Sequence, residues 1–329
     1  MARGSRRILG TMAGKKIFIT GMAGYLGGNL CRELEHCDWC EKFYGMDLKK
    51  PLYKYDKCEF RQMDNNDPAL VDWVKEIRPE VMIHLAYVLQ ELHDVELMHH
   101  INFDGSRNAL LAAAAGGVKQ VLVASSGTAY GAWPDNPPRL KEDAVLRPNP
   151  GFHYAVDKVR IEELCREFSV AHPGVVMSII RPCVVYGPFV NNYISDLLDH
   201  YLILGIRGFD PPLQFVHEDD VRAAILRIVE KDAGGVFNIA PEDTITMNEI
   251  IETTRRPHVL LPDWLVRQAV QLTWSLRLPL FNFSPAFLDY IRYPWVVEPS
   301  RLINELGFKY KYSSRETVEI MLRAKGWLP

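Results

Sequence analysis

Residues 16–28 read KIFITGMAGYLGG, and this stretch decides the fold. The apolar run IFI at its start predicts a buried strand, and the apolar spacing from Tyr25 onward predicts a helix. Glycines at 21, 24 and 27 allow a tight turn, close approach of a pyrophosphate to the backbone, and packing of the helix on the sheet. The free N–H groups and the positive dipole end at the helix start attract such an anion. The stretch therefore predicts a dinucleotide-binding strand–turn–helix unit.

The alternation of short strands and longer helices continues along the chain. We predict strands at 16–20, 42–46, 58–62, 81–84, 120–125 and 175–182, with helices at 25–35, 68–78, 96–116 and 154–172. This alternation predicts an α/β fold with a doubly wound parallel Rossmann sheet. We also expect 213–216 and 235–239 to return to the sheet, and a smaller, mostly helical C-terminal substrate lobe. The predicted organisation is a leader or tag at 1–12, an NAD-binding domain at 13–188 whose sheet is re-entered by 213–240, and a substrate-binding lobe formed mainly by 189–329.

The composition excludes several classes of protein. The 329 residues are 48% hydrophobic and 24% charged, which is typical of a soluble globular chain. A formal charge of −3 gives no support to nucleic-acid binding. Six cysteines are too few for a disulfide scaffold, so we expect reduced thiols and a cytoplasmic protein. We predict no membrane span and no metal site, since the histidines at 93, 99 and 100 lack partners at ligand spacing.

An acidic residue after the second strand bears on the choice of cofactor. The carboxylate of Asp47 can accept hydrogen bonds from both hydroxyls of an adenosine ribose and would repel a 2′-phosphate, which favours NAD over NADP. Lys49 and Lys50 weaken this inference, because a nearby cation could accommodate that phosphate. Asp64 is a candidate for the adenine edge, or equally a loop-capping residue. The predicted cofactor set is Gly21, Gly24, Tyr25, Leu26, Gly27, Asp47, Asp64, Asn65, Leu85, Ala86, Tyr154, Lys158, Pro182 and Val184.

A second motif, YAVDK at 154–158, supplies candidate catalytic residues. Four-residue spacing places Tyr154 and Lys158 on one face of a helix. An ammonium beside a phenol lowers the pKa of the phenol, which would let Tyr154 exchange a proton with a substrate hydroxyl near neutral pH. Ser125 and Ser126 end a strand at the edge where doubly wound sheets bind ligands, and a hydroxyl there can orient the same substrate oxygen.

On these motifs the sequence resembles the extended short-chain dehydrogenase/reductase family, in particular its NAD-dependent nucleotide-sugar 4-epimerases. The resemblance begins near Lys15 and covers nearly the whole remaining chain. Its further motifs are HLA at 84–86, Asn102, SSGTAYG at 125–131, RP at 181–182, YGP at 186–188, FVHEDDV at 215–221, FNI at 237–239 and ELGF at 305–308. It implies that Tyr154 is the general acid/base, that Lys158 lowers its pKa and binds ribose, and that Ser126 orients the hydroxyl. It also implies a nicotinamide site along Pro182 and the residues after it, and a homodimer through two helices near 97–115 and 154–172.

Departures from the family pattern bear on the reaction. Family dehydratases carry an acidic pair where this chain has Gly127 and Thr128, so 4,6-dehydration is disfavoured. Family epimerases place one arginine before the FVH segment, where this chain has Leu213 and Gln214, and another in an R-x-G-D stretch that this chain lacks. Two other arginines could replace these diphosphate contacts or be surface charges: Arg207 and Arg222.

The substrate candidates are less specific than the catalytic ones. They are Ser126, Thr128, Asn191, Asn192 and His217. A histidine in such an apolar segment is more often a hydrogen-bonded structural residue, and the two asparagines could equally cap the next helix. A run of apolar residues in the C-terminal lobe is expected to form either the core of that lobe or a pocket for a partly apolar substrate: Trp264, Leu265, Leu272, Trp274, Leu276, Leu278, Leu280, Phe281 and Phe283.

Three functions remain open from the sequence. The first is an epimerase that oxidises a sugar hydroxyl and reduces the resulting ketone from the other face. The alternative is an NAD(P)-dependent dehydrogenase or reductase acting on a non-nucleotide sugar, a steroid-like molecule or another small alcohol. The third is a catalytically silent NAD-binding protein, which has no use for the activated phenol of Tyr154.

Overall fold

The central sheet contains seven strands, all of which are parallel. The structure is a computed structural model, and it describes residues 14–188, 190, 198, 200–278, 281 and 283–328. The strands within the described residues are β1 Lys15–Thr20, β2 Cys40–Asp47, β3 Cys58–Gln62, β4 Val81–His84, β5 Gln120–Ala124, β6 Val176–Pro182, β7 Val184–Tyr186, β8 Ile203–Ile206, β9 Phe215–His217, β10 Gly235–Ile239 and β11 His258–Leu261. The order in the sheet is β10-β6-β5-β4-β1-β2-β3. The chain therefore starts near the middle of the sheet and winds outward in both directions, as predicted.

The helices are α1 Tyr25–Leu34, α2 Ala69–Ile77, α3 Val95–His99, α4 Gly105–Gly116, α5 His153–Ala171, α6 Glu218–Glu230, α7 Met247–Thr254, α8 Asp263–Ser275, α9 Asp289–Arg292, α10 Ser300–Leu306 and α11 Ser314–Ala324. Side-chain caps explain where several begin. Thr246 with Glu249, and Ser313 with Glu316, form capping boxes before α7 and α11. The single helix predicted at 96–116 is divided, because one π-helical turn at His100–Asp104 separates α3 from α4.

Alternate residues of β1 pack on opposite faces of the sheet, which shows that helices cover both. Ile17 and Ile19 belong to the core on the side of α1, whereas Phe18 packs edge-on against Trp73 of α2 with ring centroids 4.9 Å apart. Strands buried on both faces have continuous apolar sequences, and β4 and β5 are buried throughout. The doubly wound Rossmann architecture is confirmed.

One part of the predicted topology is wrong. Residues 213–216 do not rejoin the central sheet: β9 pairs with β7 in a separate two-stranded sheet. The reason is that β10 occupies the position beside β6, with Gly235 opposite Ser178. Of the two segments that were predicted to return to the central sheet, only 235–239 joins it. The leader predicted at 1–12 lies outside the described residues.

The apolar run of the C-terminal lobe is more exposed than expected. Trp264 is 67% exposed, and Leu265, Leu272, Leu276 and Leu278 are also exposed, whereas Phe283 is buried. On α8, Val270 and Thr273 are buried and Val266 packs against the core from a partly buried position, so most of the run on this helix does not form a lobe core. The alternative of a pocket for a partly apolar substrate stays a prediction. Leu280 lies outside the described residues. Within the described ranges, no helix has the length and apolar character that crossing a membrane requires.

Candidate active site

The turn between β1 and α1 requires glycine at two positions. Gly21 has φ +75°, and a Cβ there would lie 2.7 Å from the backbone nitrogen of Ala86. A Cβ on Gly27 would lie 2.2 Å from the carbonyl oxygen of Gly21. Gly24, the N-cap of α1, offers no side chain to the first N–H groups of the helix. These groups are therefore available to an anionic ligand, and the turn fits a pyrophosphate.

Two cavities, of about 320 and 340 Å³, lie on either side of this turn. Both are lined by Gly21, Gly24, Leu85 and Tyr87, so they form one cleft across the carboxyl ends of the strands. Every residue of the predicted cofactor set lines one cavity or the other. The first contains Tyr25, Leu26, Gly27, Tyr154, Lys158, Pro182 and Val184, and the second contains Asp47, Asp64, Asn65 and Ala86.

The second cavity has the donors and acceptors expected on the adenosine side. The two carboxylate oxygens of Asp47 accept hydrogen bonds from the backbone N–H groups of Ala23 (3.0 Å) and Lys49 (3.1 Å). Asp64 Oδ1 accepts from the N–H of Asn66 at 2.8 Å, so its loop-capping role is observed. The side-chain amide of Asn65 is buried, and neither of its polar atoms is hydrogen bonded.

The first cavity brings the predicted catalytic residues together. Ser126, Tyr154 and Lys158 all line it, with Thr128 beside them. Ser126 follows β5 and caps a 3₁₀ turn at Gly127–Tyr130, where its Oγ accepts hydrogen bonds from the backbone N–H (3.2 Å) and the hydroxyl (2.9 Å) of Thr128. Tyr154 lies in the first turn of α5, with its phenol at the cavity. A substrate oxygen in this cavity would meet both hydroxyls.

The pKa of Tyr154 differs from the sequence-based expectation. Burial raises the pKa of its phenol to about 12, although a hydrogen bond with the Ser126 side chain acts in the opposite direction. The expectation that Lys158 lowers this pKa is wrong for this structure. Lys158 is itself buried, and burial lowers the pKa of its ammonium well below the usual value.

Lys158 is held by the end of β5 and by an aromatic ring. Its Nζ donates a 2.6 Å hydrogen bond to the carbonyl oxygen of Ala124 and lies 2.9 Å from the centroid of the Tyr87 ring. The centroid of the Tyr154 ring is 5.4 Å away. The lysine thus joins the helix that carries Tyr154 to the strand that leads to Ser126, and it is a lining residue of the first cavity.

The two adjacent serines have different environments. Ser125 Oγ donates to Glu162, which forms a buried ion pair with Arg181 through bonds of 2.6 and 2.8 Å. Arg181 also donates to the hydroxyl of Tyr130 at 2.6 Å. Ser125 also lines the first cavity, but its hydroxyl belongs to this buried network, and of the two serines it is Ser126 whose side chain interacts with Tyr154. The geometry agrees with the preference for Ser126.

Several other candidates lie elsewhere. His217 caps α6, where its Nδ1 accepts from the N–H of Asp219 at 3.1 Å, and it lines neither cavity. The cap is the structural role that the sequence also allowed for His217, and its selection as a substrate residue stays a prediction. Asn191 and Asn192 lie outside the described residues. Arg222 forms ion pairs with Glu33 and Asp219, and the exposed Arg207 donates to a backbone carbonyl, so neither lines the described cleft.

Some residues of the described cleft were not predicted. Tyr87 and Trp295 line the first cavity together with Leu89 and Val190, whereas Cys183 and Val185 fall within the stretch predicted after Pro182. Tyr87 directly follows the predicted pair Leu85 and Ala86. Extending the prediction by one residue beyond the end of β4 would have included it. Trp295 lies far along the chain in a segment without a recognisable motif. In the parts of the chain that can be described, no group of three or more His, Cys, Asp or Glu side chains could hold a metal ion.

Comparison with known proteins agrees with this geometry. Residues 17–240 match the model of the NAD dependent epimerase/dehydratase family. The chain belongs to this family. An uncharacterized protein of Mycobacterium tuberculosis is 24% identical over 326 residues, which are 96% of this chain and 85% of that protein. The GDP-6-deoxy-D-mannose reductase of Pseudomonas aeruginosa is 26% identical over 256 residues, covering 72% of this chain and 78% of the reductase.

A solved structure supports the fold. A UDP-glucuronic acid 4-epimerase from Bacillus cereus, in complex with a UDP-sugar analogue and NAD, superimposes with a TM-score of 0.73 at 18% identity. The match covers 94% of this chain and 99% of that one. The proteins that this chain resembles thus include one named as a reductase and, in fold, one named as an epimerase.

Proposed function

We propose that this chain is an NAD-dependent enzyme that oxidises a hydroxyl-bearing carbon of a sugar and reduces the resulting ketone, which inverts the carbon. The observation that carries the proposal is that Ser126 and Tyr154 share one cavity with the glycine turn. Bound NAD would supply the hydride acceptor and donor. Gly21 and Gly27 would hold its pyrophosphate, Asp47 its adenosine ribose and Lys158 its other ribose.

The protein residues would transfer one proton from the substrate oxygen and back to it. Tyr154 would take the proton of the substrate hydroxyl during oxidation and return it to the ketone oxygen during reduction, so that the net redox change is zero. Ser126 would hold the same oxygen through its hydroxyl. The high pKa of Tyr154 favours the protonated phenol, which is the form that the reduction step needs.

A second candidate is net oxidation or reduction of an alcohol that carries no diphosphate. It is favoured by the walls of the first cavity, where Lys158 is the one charged residue among the described lining residues. At the position of the missing family arginine, the amide of Gln214 bonds the carbonyl oxygens of Pro241 (2.9 Å) and Val297 (3.1 Å) and is closed to a ligand. The positions Gly127 and Thr128 offer no acid group, so dehydration is not proposed.

Substrate screening distinguishes these candidates. UDP-hexoses, free sugars and hydroxysteroids would be incubated with protein and NAD, with product analysis and the NADH absorbance read together. Inverted product without accumulated NADH supports epimerisation, whereas stoichiometric NADH supports net oxidation. Tyr154→Phe should abolish either activity, while the exposed Tyr53→Phe should not. Turnover that survives Tyr154→Phe would refute the proposed mechanism.

The cofactor preference follows from Asp47. We propose NAD rather than NADP, since a 2′-phosphate would approach a carboxylate that already accepts two backbone hydrogen bonds. Titration of the protein with NADH and NADPH should give tighter binding of NADH, and Asp47→Asn should reduce the difference. Tighter binding of NADPH to the unaltered protein would contradict this assignment.

The predicted homodimer is also a proposal. Leu97 of α3, Leu111 of α4 and Val170 of α5 are exposed apolar residues on the helices expected to pair. Light scattering after gel filtration should give twice the mass of the chain, and Leu111→Glu should shift it toward the monomer.

A further inference from the structure

The start of the helix that carries Tyr154 lacks a cap of its own. Phe152 is the N-cap of α5 and has no side-chain hydrogen-bonding group, and the first turn contains no acidic residue. Helix starts leave N–H groups without partners, and a buried start needs acceptors from elsewhere in the chain. Phe152 is fully buried, so water cannot supply them freely.

Glu91 provides that acceptor from a distant part of the sequence. Its side chain is 4% exposed, and Oε1 accepts a hydrogen bond from the backbone N–H of His153, the first residue of α5, at 3.3 Å. A carboxylate at this end of a helix also interacts favourably with the helix dipole. Tyr154 is the next residue along the chain.

The other oxygen of the same carboxylate binds the C-terminal lobe. Glu91 Oε2 accepts from the backbone N–H of Ser284 at 2.8 Å, just before a 3₁₀ turn at Pro285–Leu288. Ser284 Oγ in turn donates to the carbonyl oxygen of Gly151 at 3.3 Å. One buried carboxylate therefore serves two helical N-termini that are far apart in sequence.

Two segments reach the cleft from this carboxylate: the one that precedes Glu91 and the one that follows its partner Ser284. Leu85, Tyr87 and Leu89, which precede it, line the first cavity. The segment after Ser284 leads to Trp295, which lines the same cavity. Aromatic packing reinforces the junction, since the ring of Phe152 lies 5.0 Å from that of Tyr290, measured between centroids.

We infer that Glu91 is a positioning residue that fixes the start of α5, and with it Tyr154, against the C-terminal lobe that forms the substrate side of the cleft. Burying a carboxylate is costly unless its oxygens are hydrogen bonded, and here the backbone donors come from both partners. The buried carboxylate therefore has both of its backbone donors only when α5 and the C-terminal lobe are in contact. The inference depends on the proposed function only for the role of Tyr154.

Amide hydrogen exchange of the full-length protein tests the link without any substrate. Glu91→Gln keeps the shape of the side chain but replaces one acceptor by an amide, and Glu91→Ala removes both acceptors. In Glu91→Ala we expect protection in peptides covering 149–158 and 283–290 to fall together, by about tenfold, as for loss of a helix cap. Glu91→Gln should lower protection in at least one of these peptides. The matched control is Glu96→Gln on the exposed first turn of α3, which should change neither peptide. Unchanged protection in Glu91→Ala, or a loss in one peptide only in that variant, would overturn the link.

Binding and kinetics test the positioning role. In Glu91→Gln, the dissociation constant of NADH should stay within about twofold, because the glycine turn and Asp47 are untouched. With the substrate found by screening, KM should rise and kcat fall, with a loss in kcat/KM of about tenfold or more, as for a lost charge-assisted hydrogen bond. Normal kcat/KM in this variant would refute the positioning role. If the exchange result holds and no substrate is turned over by the unaltered protein, the link stands and the proposed function fails.

Discussion

The ammonium nitrogen of Lys158 lies 2.6 Å from the carbonyl oxygen of Ala124 and 5.4 Å from the ring centroid of Tyr154. Lys158, which we propose as a catalytic residue, is therefore hydrogen bonded to the last residue of β5, immediately before the two serines. This contact joins strand and helix at the bottom of the cleft. It gives Lys158 a structural role beside its expected role toward the cofactor.

Replacing Lys158 by Met should separate these roles. Turnover should fall by about a hundredfold or more, because the cation beside the phenol and the ribose is lost. The free energy of unfolding should change little, since removing a desolvated ammonium offsets the lost bond to Ala124. Steady-state kinetics and urea unfolding measure the two effects. Arg166→Met on the exposed face of α5 is the control, and a Lys158 variant with normal turnover would contradict the assignment.

The adjacent serines should give opposite results on removal of their hydroxyls. Ser126→Ala should lower turnover by about ten- to a hundredfold with little loss of stability, because its hydroxyl faces Tyr154. Ser125→Ala should cost about 1 kcal/mol of stability by removing a donor to the buried Glu162, with a smaller effect on turnover. Kinetics and urea unfolding of both variants check this. The reverse pattern would assign catalysis to Ser125.

A methyl group at Gly21 should block the cofactor site. Gly21→Ala places an L-residue at φ +75° and a Cβ 2.7 Å from the Ala86 nitrogen, so we expect NADH affinity to fall by more than about tenfold and stability to fall by about 1–3 kcal/mol. Gly28→Ala is the matched control, since the nearest atom to its Cβ would be 3.9 Å away. Titration of the intrinsic fluorescence with NADH measures the affinity of each variant, and urea unfolding measures its stability. Equal affinities in the two variants would show that the turn does not bind the cofactor.

His84 should make stability depend on acid pH. Burial, followed by the charge of Lys158, lowers the pKa of His84 from 6.5 to about 3. Between these values the unfolded chain binds a proton that the folded chain does not, so the free energy of unfolding falls as pH falls from 6.5 toward 3. The slope should approach about 1.4 kcal/mol per pH unit.

His84→Gln should flatten this acid dependence, because glutamine does not titrate while its amide can still bond Thr20 or Ser106 on either side. Urea unfolding at several pH values between 4 and 7 measures it. The exposed His36→Gln should keep the slope of the unaltered protein. An equal slope in the His84 variant would mean that other groups control acid stability.

Much of the fold was predictable because its strands are buried on both faces. Such strands have continuous apolar sequences with sharp ends, and the predicted bounds 81–84 coincide with β4, which is buried throughout. The π-helical turn at 100–104 was not predictable from periodicity, since the apolar spacing of the surrounding helix continues through it. The pairing of β9 with β7 depends on which strand occupies the edge beside β6, and no local pattern carries that information.

The residues of the candidate site also fall into a group that the sequence predicts and a group that it does not. The glycine turn, Asp47 and the YAVDK motif depend on local spacing, and local spacing is visible in a sequence. Glu91 and Trp295 reach the site through tertiary contacts between segments far apart in the chain, and neither has a distinctive neighbourhood. The pKa of Tyr154 was predicted with the wrong sign, because a helix-face argument accounts for the charge of Lys158 but not for the burial of both groups.

The segment that carries Trp295 is anchored from two sides. The backbone of Leu140 exchanges hydrogen bonds with Val296 and Glu298, and the amide of Gln214 binds both the N–H and the carbonyl oxygen of Val297. Opening this wall would break these four hydrogen bonds, together with those that Asn136 and Asn238 donate to Pro294 and Glu298, and would expose Val297, which is fully buried. Trp295 is thus part of a fixed wall rather than a gate, and a substrate must reach Tyr154 by a route that leaves this segment in place.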